Sequence, residues 1–332
     1  MNITYRNFST DDTDKIIDFW NSNSGWETDM DRVEFQKRFC SSPFGEPIIT
    51  LAINTDNDDE LVGQFCFIPL LATIHSKRTL IYRPFGAILK ESFRGKFGVA
   101  SFLLHNHPMQ LLYNKGAEEA VKKGALLSYM IPDPRWGRVL KTMPFKMENF
   151  PLMSKPLPLQ NFEILPDNCK IEAVAYNAEI LDSLWLQAEK IIPCGLVRNT
   201  DFFKWKNILA HGRFKLRILF QDDVLIGAFS LQFKTDALEW IIGDIILADR
   251  NNMNLLLVAA CYAAQTEFES KDLEKEKQYK VAIMGSLVLI NNLDLLGFKK
   301  DNYNFTLAVH RFNKKFTDKE ISPRNWHIYA ND

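Results

Sequence analysis

The feature that most constrains this chain is a weak internal repeat, because a duplicated pattern fixes architecture more firmly than one short motif does. An acidic turn followed by an alternating apolar run occurs twice, as DDELVG at residues 58–63 and DDVLIG at residues 222–227. Each copy is typical of a β-hairpin. A helix stopped by Pro or Gly, then a strand opening with Phe and Lys, also occurs twice, as LKTMPFK at 140–146 and LDLLGFK at 293–299.

The two halves therefore share one order of elements, namely helix, hairpin, third strand, helix, strand, helix and strand. This order predicts an α/β fold in which a mixed sheet is flanked by helices. The segment from Pro151 to Asp167 is rich in proline and predicts an extended connector. We therefore predict two tandem domains, residues 1–155 and 156–332, and a chain of 332 residues is long enough to bury two cores.

Composition excludes several classes of partner. The 40 basic and 41 acidic side chains nearly cancel, so no overall field favours nucleic acid or anionic lipid. The five cysteines lie far apart and never form CxxC, which argues against zinc and against a disulfide framework. The start lacks a signal-peptide pattern, and the longest apolar stretch, residues 255–264, is too short to cross a bilayer. We expect a cytoplasmic protein with no metal, no nucleic-acid partner and no membrane partner.

The residues that suggest chemistry follow an apolar strand at residues 84–89. This strand leads through Lys90 into RGKFGVAS at residues 94–101, a basic turn with two glycines and the start of a helix. Glycine lets backbone N–H groups approach an anion closely, and the first turn of a helix presents unpaired N–H groups. Arg94 and Lys96 add positive charge, so the segment suits a pyrophosphate.

This strand, loop and helix resemble the acyl-CoA-binding loop of the GNAT (GCN5-related N-acetyltransferase) superfamily, written [Q/R]xxGx[G/A]. The order of elements resembles that fold over nearly all of residues 3–155. Counted from Arg94, the second glycine comes one residue late, as if Phe97 had been inserted. The resemblance implies acetyl-CoA or another acyl-CoA as co-substrate, with its diphosphate in the loop and its pantetheine arm along residues 87–90.

A second segment, Pro132-Asp133-Pro134, resembles the Pro-Asn-Pro turn of the same superfamily, in which the Asn side chain often touches the cofactor. Here the position is occupied by Asp133. The cofactor-binding residues that the resemblance implies are Ile88, Leu89, Lys90, Arg94, Gly95, Lys96, Phe97, Gly98, Val99, Ala100, Ser101 and Asp133.

No catalytic residue carries over from the family pattern. Many members have a catalytic Tyr where this chain has Leu140, and a carboxylate base where it has Tyr82 and Arg83. Acid and base groups nearby remain open as candidates, and the catalytic residue is left unassigned among Glu91, His105, His107, Tyr113 and Tyr129.

The second half is predicted to be a degenerate copy that closes the acceptor site or supports the first domain. Its counterpart of the fourth strand, residues 238–247, leads into ADRNNMN, which contains no glycine. The tail with Asn325 and Trp326 resembles a bacterial tandem GNAT-like group associated with amino-sugar and polysaccharide enzymes. The resemblance implies an N-acyltransferase acting on a small-molecule amine acceptor, with an amino sugar favoured. The alternative is a non-catalytic binding or scaffold protein, which the missing Tyr at 140 and the extra Phe97 favour.

Overall fold

The computed structural model describes residues 2–25, 29–94, 96–97, 99–160, 164–274 and 276–329, and the chain forms two compact units. Unit 1 consists of Met1–Leu71, Thr79–Met147 and Leu307–Asp318, and unit 2 consists of Ala72–Arg78, Glu148–Thr306 and Lys319–Asp332. Both units mix helices with strands, so the predicted α/β fold is confirmed.

The first part of the chain supplies five strands and six helices among its described residues. The strands are β1 (Ile3–Asn7), β2 (Ile48–Asn54), β3 (Glu60–Ile74), β4 (Lys77–Leu89) and β5 (Leu127–Met130). The helices are α1 (Thr13–Asn23), α2 (Arg32–Phe35), α3 (Glu91–Arg94), α4 (Val99–Leu103), α5 (Pro108–Lys122) and α6 (Gly137–Leu140). A π-helical turn spans Gln36–Cys40, and 3-10 turns span Thr10–Asp12 and Pro134–Trp136.

The rest of the chain supplies the remaining elements. The strands are β6 (Lys146–Leu157), β7 (Cys169–Ala173), β8 (Cys194–Leu196), β9 (Phe214–Gln221), β10 (Val224–Lys234), β11 (Glu239–Leu247), β12 (Tyr279–Met284), β13 (Lys299–Arg311) and β14 (Trp326–His327). The helices are α7 (Ile180–Ala188), α8 (Thr200–Leu209), α9 (Met253–Ser270) and α10 (Ile290–Leu295), with 3-10 turns at Arg250–Asn252 and Pro323–Asn325.

The two units have matching strand orders, and each takes its last strand from the other part of the chain. In unit 1 the order β1, β2, β3, β4, β5 is completed by the C-terminal part of β13, where Ala308 lies opposite Met130. In unit 2 the order β7, β9, β10, β11, β12 is completed by β6, where Met153 lies opposite Ile283. The domain boundary predicted between residues 155 and 156 divides the chain into two continuous stretches, and it stays a prediction.

The two acidic repeats form the hairpin turns that the sequence predicted. Asp222 and Asp223 join β9 to β10 with φ of 49° and 61°, and Asp58 and Asp59 precede β3 with φ of 45° and 53°. Two successive left-handed residues give a turn whose twist matches that of antiparallel strands, and Asp tolerates this conformation better than most residues.

The parallel strands in the middle of each unit separate towards their C-terminal ends. In unit 1, β4 and β5 pair at Tyr82 and Ser128, and Gly86 then enters the left-handed region at φ +61°. In unit 2, β11 and β12 pair as far as Ile242, and Asp244 follows at φ +48°. A left-handed residue inside a strand bends it, so both units diverge at the same topological place.

Apolar side chains above the sheets hold each unit together. In unit 1, α5 buries Leu112 and Tyr113 against Phe65 and Phe67. In unit 2, α9 is buried along most of its length in a cluster that includes Trp240. Across the part of the chain that the structure describes, no helix has both the length and the apolar character needed to span a membrane.

Replacing Gly86 by Ala is expected to destabilise unit 1 by about 2–5 kcal/mol. A Cβ there would lie 2.9 Å from Trp20 Cζ3 and 3.2 Å from Phe39 Cε1. The left-handed backbone costs a non-glycine residue about 1–2 kcal/mol, and overpacking adds about 1–3 kcal/mol. The measurement is the free energy of unfolding in urea.

Gly124→Ala provides the matched control for this substitution. Gly124 also has a positive φ, of 86°, but a Cβ there would meet nothing within 4 Å. Only the backbone cost, about 1–2 kcal/mol, applies. Equal losses for the two variants would show that the packing around Gly86 does not require glycine.

Candidate functional site

A cavity of about 320 Å³ lies within unit 1 where β4 and β5 diverge. Its walls come from α1, the end of β4, the turn after β5 and α6. The lining residues are Trp20, Ser24, Phe65, Arg83, Pro84, Phe85, Gly86, Ala87, Ile88, Met130, Ile131, Pro132, Asp133, Trp136, Leu140 and Met143. Most of the lining residues are of apolar types, and Ser24, Arg83 and Asp133 supply polar side chains.

The local sequence explains why the strands part here. Pro84 has no N–H group, so it cannot donate a hydrogen bond from β4 to a neighbouring strand. Gly86 then bends β4, and Gln64 Nε2 donates to its carbonyl oxygen at 3.4 Å. Pro132 lies two residues after the end of β5, beyond Ile131. The two strand ends therefore border an open space.

The structure brings some of the residues predicted to bind the cofactor to this cavity. Ile88 and Asp133 line it. Leu89 is instead buried in the core cluster beneath α5. The Lys90 ammonium forms an ion pair with Glu60, so its charge is directed at the protein.

The predicted phosphate loop lies between two short helices. The helix that follows the turn, α4, is short, and Pro108 begins a new helix, α5, as the polar run from His105 to Pro108 predicts. Proline lacks the N–H that a continuing helix needs, which explains the break. Within the loop, Ala100 is exposed and Ser101 is half-buried. Gly95 and Gly98, the two glycines of the predicted diphosphate seat, lie outside the described residues.

The two cations of the loop have different surroundings. Arg94 Nε donates to the Leu89 carbonyl at 2.9 Å, and its Nη2 donates to the Asn23 carbonyl. Lys96 is exposed, with its Nζ 4.4 Å from the centre of the Phe93 ring. Arg94 therefore fixes the end of β4 against α1, while Lys96 presents its charge to solvent.

The insertion at Phe97 and the nearby His107 belong to one packed group. Phe97 is half-buried, 5.7 Å from the His107 ring, and Phe102 stacks on His107 at 3.6 Å. His107 Nδ1 accepts a hydrogen bond from the Met109 N–H and caps α5. Burial lowers the pKa of His107 to about 4. This histidine is therefore a structural helix cap that stays neutral at pH 7.

The other four candidates for acid or base chemistry also lie apart from the cavity walls. Glu91 and His105 are exposed on the surface, and Tyr129 is buried. The Tyr113 hydroxyl is buried between Ser128 Oγ at 2.7 Å and His310 Nδ1 at 2.8 Å. None of the five candidates lines the cavity.

Sequence reasoning did not assign three cavity residues, Trp20, Arg83 and Trp136, to the site. Trp20 is buried in the core, and it also forms part of the cavity wall. Trp136 lies two residues after the Pro-Asp-Pro turn, and an aromatic residue close to that turn is the available signal. Within the described ranges, no three His, Cys, Asp or Glu side chains lie close enough together to hold a metal ion.

Lowering the pH from 7 to 5 is expected to destabilise unit 1 through His310. Burial lowers the pKa of His310 to about 4 from an ordinary 6.5. Below pH 6.5 the unfolded chain takes up a proton that the folded chain does not, so the free energy of unfolding falls as the pH drops towards 4. At pH 5 this one group removes about 1–2 kcal/mol.

Two variants isolate this contribution in urea unfolding at pH 7 and pH 5. His310→Gln should reduce the pH-dependent loss, because the titrating group is gone. Tyr113→Phe should keep the loss, because burial and not the tyrosine hydrogen bond depresses the pKa. An unchanged pH dependence in His310→Gln would contradict the assignment.

Comparisons with known proteins connect this geometry to a fold family. No family model matches the sequence, and no curated protein matches it. Among solved structures, a GCN5-related N-acetyltransferase from Anabaena variabilis is 11% identical with a TM-score of 0.66, over 94% of this chain and 74% of that chain. A probable N-acyltransferase of unknown function from Enterococcus faecalis is 12% identical with a TM-score of 0.68, over 95% and 74%.

A third solved structure carries a bound ligand. The N-myristoyltransferase of Saccharomyces cerevisiae, with bound myristoyl-CoA, is 10% identical with a TM-score of 0.52, over 93% of this chain and 82% of that chain. At these identities the likeness concerns the fold. The chain therefore has the fold of the GCN5-related N-acetyltransferases.

Proposed function

We propose that unit 1 binds acetyl-CoA or another acyl-CoA in the cavity between β4 and β5 and transfers its acyl group to a small-molecule amine. The observation that carries this proposal is the divergence of the two parallel strands after Tyr82 and Ser128, which leaves a cavity lined by the ends of both strands. The fold supports it, since one solved structure of the same fold has a bound acyl-CoA.

The pantetheine arm is proposed to lie along residues 87–90, with Ile88 beside it and backbone groups of β4 pairing with its amides. The loop at residues 94–101 is proposed to hold the diphosphate, and the exposed charge of Lys96 favours it. Asp133, at the far side of the cavity, is proposed to touch the cofactor.

We propose that the protein promotes acyl transfer mainly by holding the amine and the thioester in position. The amine nitrogen attacks the thioester carbonyl carbon, the carbon–sulfur bond breaks, and the thiolate leaves and takes up a proton from solvent. The amine loses its proton, and since none of the five acid or base candidates lines the cavity, we propose that water accepts it. Holding two reactants together removes much of the entropic part of the barrier.

We propose an amino sugar as the acceptor. The basis for this proposal is the resemblance of the tail with Asn325 and Trp326 to that of the tandem GNAT-like group. In the structure Asn325 Nδ2 donates to the carbonyls of Lys319 and Glu320, and buried Trp326 donates to the Ile321 carbonyl. The Asn325 amide and the Trp326 indole N–H are therefore bound within the tail. The acceptor is identified by the assay described below.

Acetyl-CoA is expected to bind with a measurable heat, and Ala87→Trp is expected to weaken that binding at least tenfold by filling the cavity. The measurement is isothermal titration calorimetry. Ala175→Trp, the same substitution at an exposed position in unit 2, is the control and should bind normally. No heat with the unaltered protein, or equal binding by Ala87→Trp, would refute the proposed site.

The same preparation distinguishes an enzyme from a binding protein. Release of CoA is followed with a thiol reagent in the presence of amino sugars, amino acids and polyamines. Turnover with one class identifies the acceptor. Binding without turnover on every acceptor would favour the alternative of a non-catalytic binding or scaffold protein.

Lys96→Glu is expected to weaken acetyl-CoA binding about tenfold and to leave S-acetylpantetheine binding unchanged. Lys96 is exposed, so the substitution reverses a charge next to the proposed diphosphate seat without disturbing the core. S-acetylpantetheine has the same thioester arm but no phosphates, and it therefore serves as the control ligand. Equal weakening of the binding of both ligands would contradict an interaction between Lys96 and the diphosphate.

A further inference from the structure

Unit 2 has a cavity of its own, of about 210 Å³, at the place that corresponds to the cavity of unit 1. It lies where β11 and β12 have diverged, beside the start of α9. The lining residues are Ile191, Ile192, Ile245, Leu247, Arg250, Met253, Val288, Asn292, His327 and Tyr329. We propose that this cavity binds a small aliphatic carboxylate, with the acid group at Arg250 and the chain among the apolar side chains.

The size and walls of the cavity define the apolar part of the ligand. Six of the lining side chains are aliphatic or Met, including Ile245, Leu247 and Val288. A cavity of about 150 Å³ with such walls takes up benzene, so this one admits a molecule of about eight non-hydrogen atoms. The nucleotide part of a coenzyme does not fit in such a volume. The ligand class is therefore different from that proposed for unit 1.

A buried imidazole marks the polar end of the site. His327 is 93% buried, and its Nε2 has no hydrogen-bond partner among the described residues. Buried polar atoms in folded proteins are almost always hydrogen-bonded, so a group that enters this cavity is the natural partner for Nε2. Burial, with the nearby charges of Arg198 and Arg250, lowers the pKa of His327 to about 4. The neutral ring can donate from Nε2 to a carboxylate oxygen.

The remaining polar groups favour a negative ligand. The Arg250 residue is exposed, and its guanidinium donates one hydrogen bond to the Ile191 carbonyl. A guanidinium has five N–H groups, so others remain to bind a ligand. Asn292 Nδ2 donates one hydrogen to Asn254 Oδ1 at 2.6 Å and has a second hydrogen to donate. Among the described lining residues Arg250 is the charged one, and no carboxylate lines the cavity. A carboxylate matches this set of donors, whereas an ammonium group would be repelled.

The charges behind the cavity do not cancel this preference. Asp244 is fully buried and bound by Arg198 at 3.2 Å and by Lys206 at 2.6 Å. Its carboxylate is therefore already matched by two cations. Asp249, beside Arg250, accepts from the Asn251 N–H in its own turn.

The test uses sodium hexanoate, a six-carbon carboxylate with eight non-hydrogen atoms, in calorimetric titrations of the full chain. Hexanol and hexylamine are the matched ligands, with the same chain but a neutral or a positive end. Hexanoate is expected to bind at least tenfold more tightly than either. Arg250→Gln should weaken hexanoate binding about tenfold, and Arg250→Lys, which keeps the charge, should weaken it less than threefold.

Two further variants locate the binding and separate it from the function proposed for unit 1. Val288→Phe should abolish hexanoate binding by filling the unit 2 cavity, and Ala87→Trp should leave it unchanged. Circular dichroism and thermal unfolding check that each variant is folded. Absence of saturable hexanoate binding, equal binding of hexylamine, or indifference to both Arg250→Gln and Val288→Phe would overturn the proposal. None of these outcomes depends on whether acetyl-CoA binds.

Discussion

The candidate site depends on one backbone constraint, the left-handed conformation of Gly86 inside β4. This residue bends the strand away from β5, and Trp20 and Phe39 lie so close that a Cβ at position 86 would clash with them. The bend opens the cavity, and the same aromatic side chains then form part of the support behind it. An α/β sheet whose two parallel strands stayed paired to their ends would have no such space.

Unit 2 reaches a similar bend by different means. Asp244 takes the left-handed position, and its carboxylate is held by Arg198, Lys206 and Ser230 within a buried cluster. A buried carboxylate is costly unless cations and donors surround it, so this cluster has to be maintained as a set. In unit 1 the left-handed position in the strand is occupied by glycine, which has no side chain. In unit 2 it is occupied by an aspartate whose carboxylate is bound by two cations and a hydroxyl group. The two cavities differ in size, at about 210 Å³ and 320 Å³, and in their lining residues.

The sequence predicted the elements and their order well because hairpin turns, apolar strands and helix stops are local signals. The paired aspartates at 58–59 and 222–223 and the strand before Lys90 are examples. Local signals failed where tertiary packing decides the outcome. Trp20 reads as core and is core, but only the fold shows that it also faces a cavity. Tyr113 and His107 are chemically capable residues, and the structure commits the first to a buried contact with His310 and the second to a helix cap.

The exchange of last strands has a consequence for how the chain can be divided. Unit 1 takes Leu307–Asp318 from near the C-terminus, and β6, which follows directly on unit 1 in the chain, completes the sheet of unit 2. Neither half of the polypeptide contains all the strands of one unit. A gene split in the connector after β6 would therefore yield two fragments that each lack one strand of a unit, and the two fragments would have to be made together to complete each other. Because each unit needs a strand from the other half, both halves have to be retained together, even if only one of them carries out catalysis.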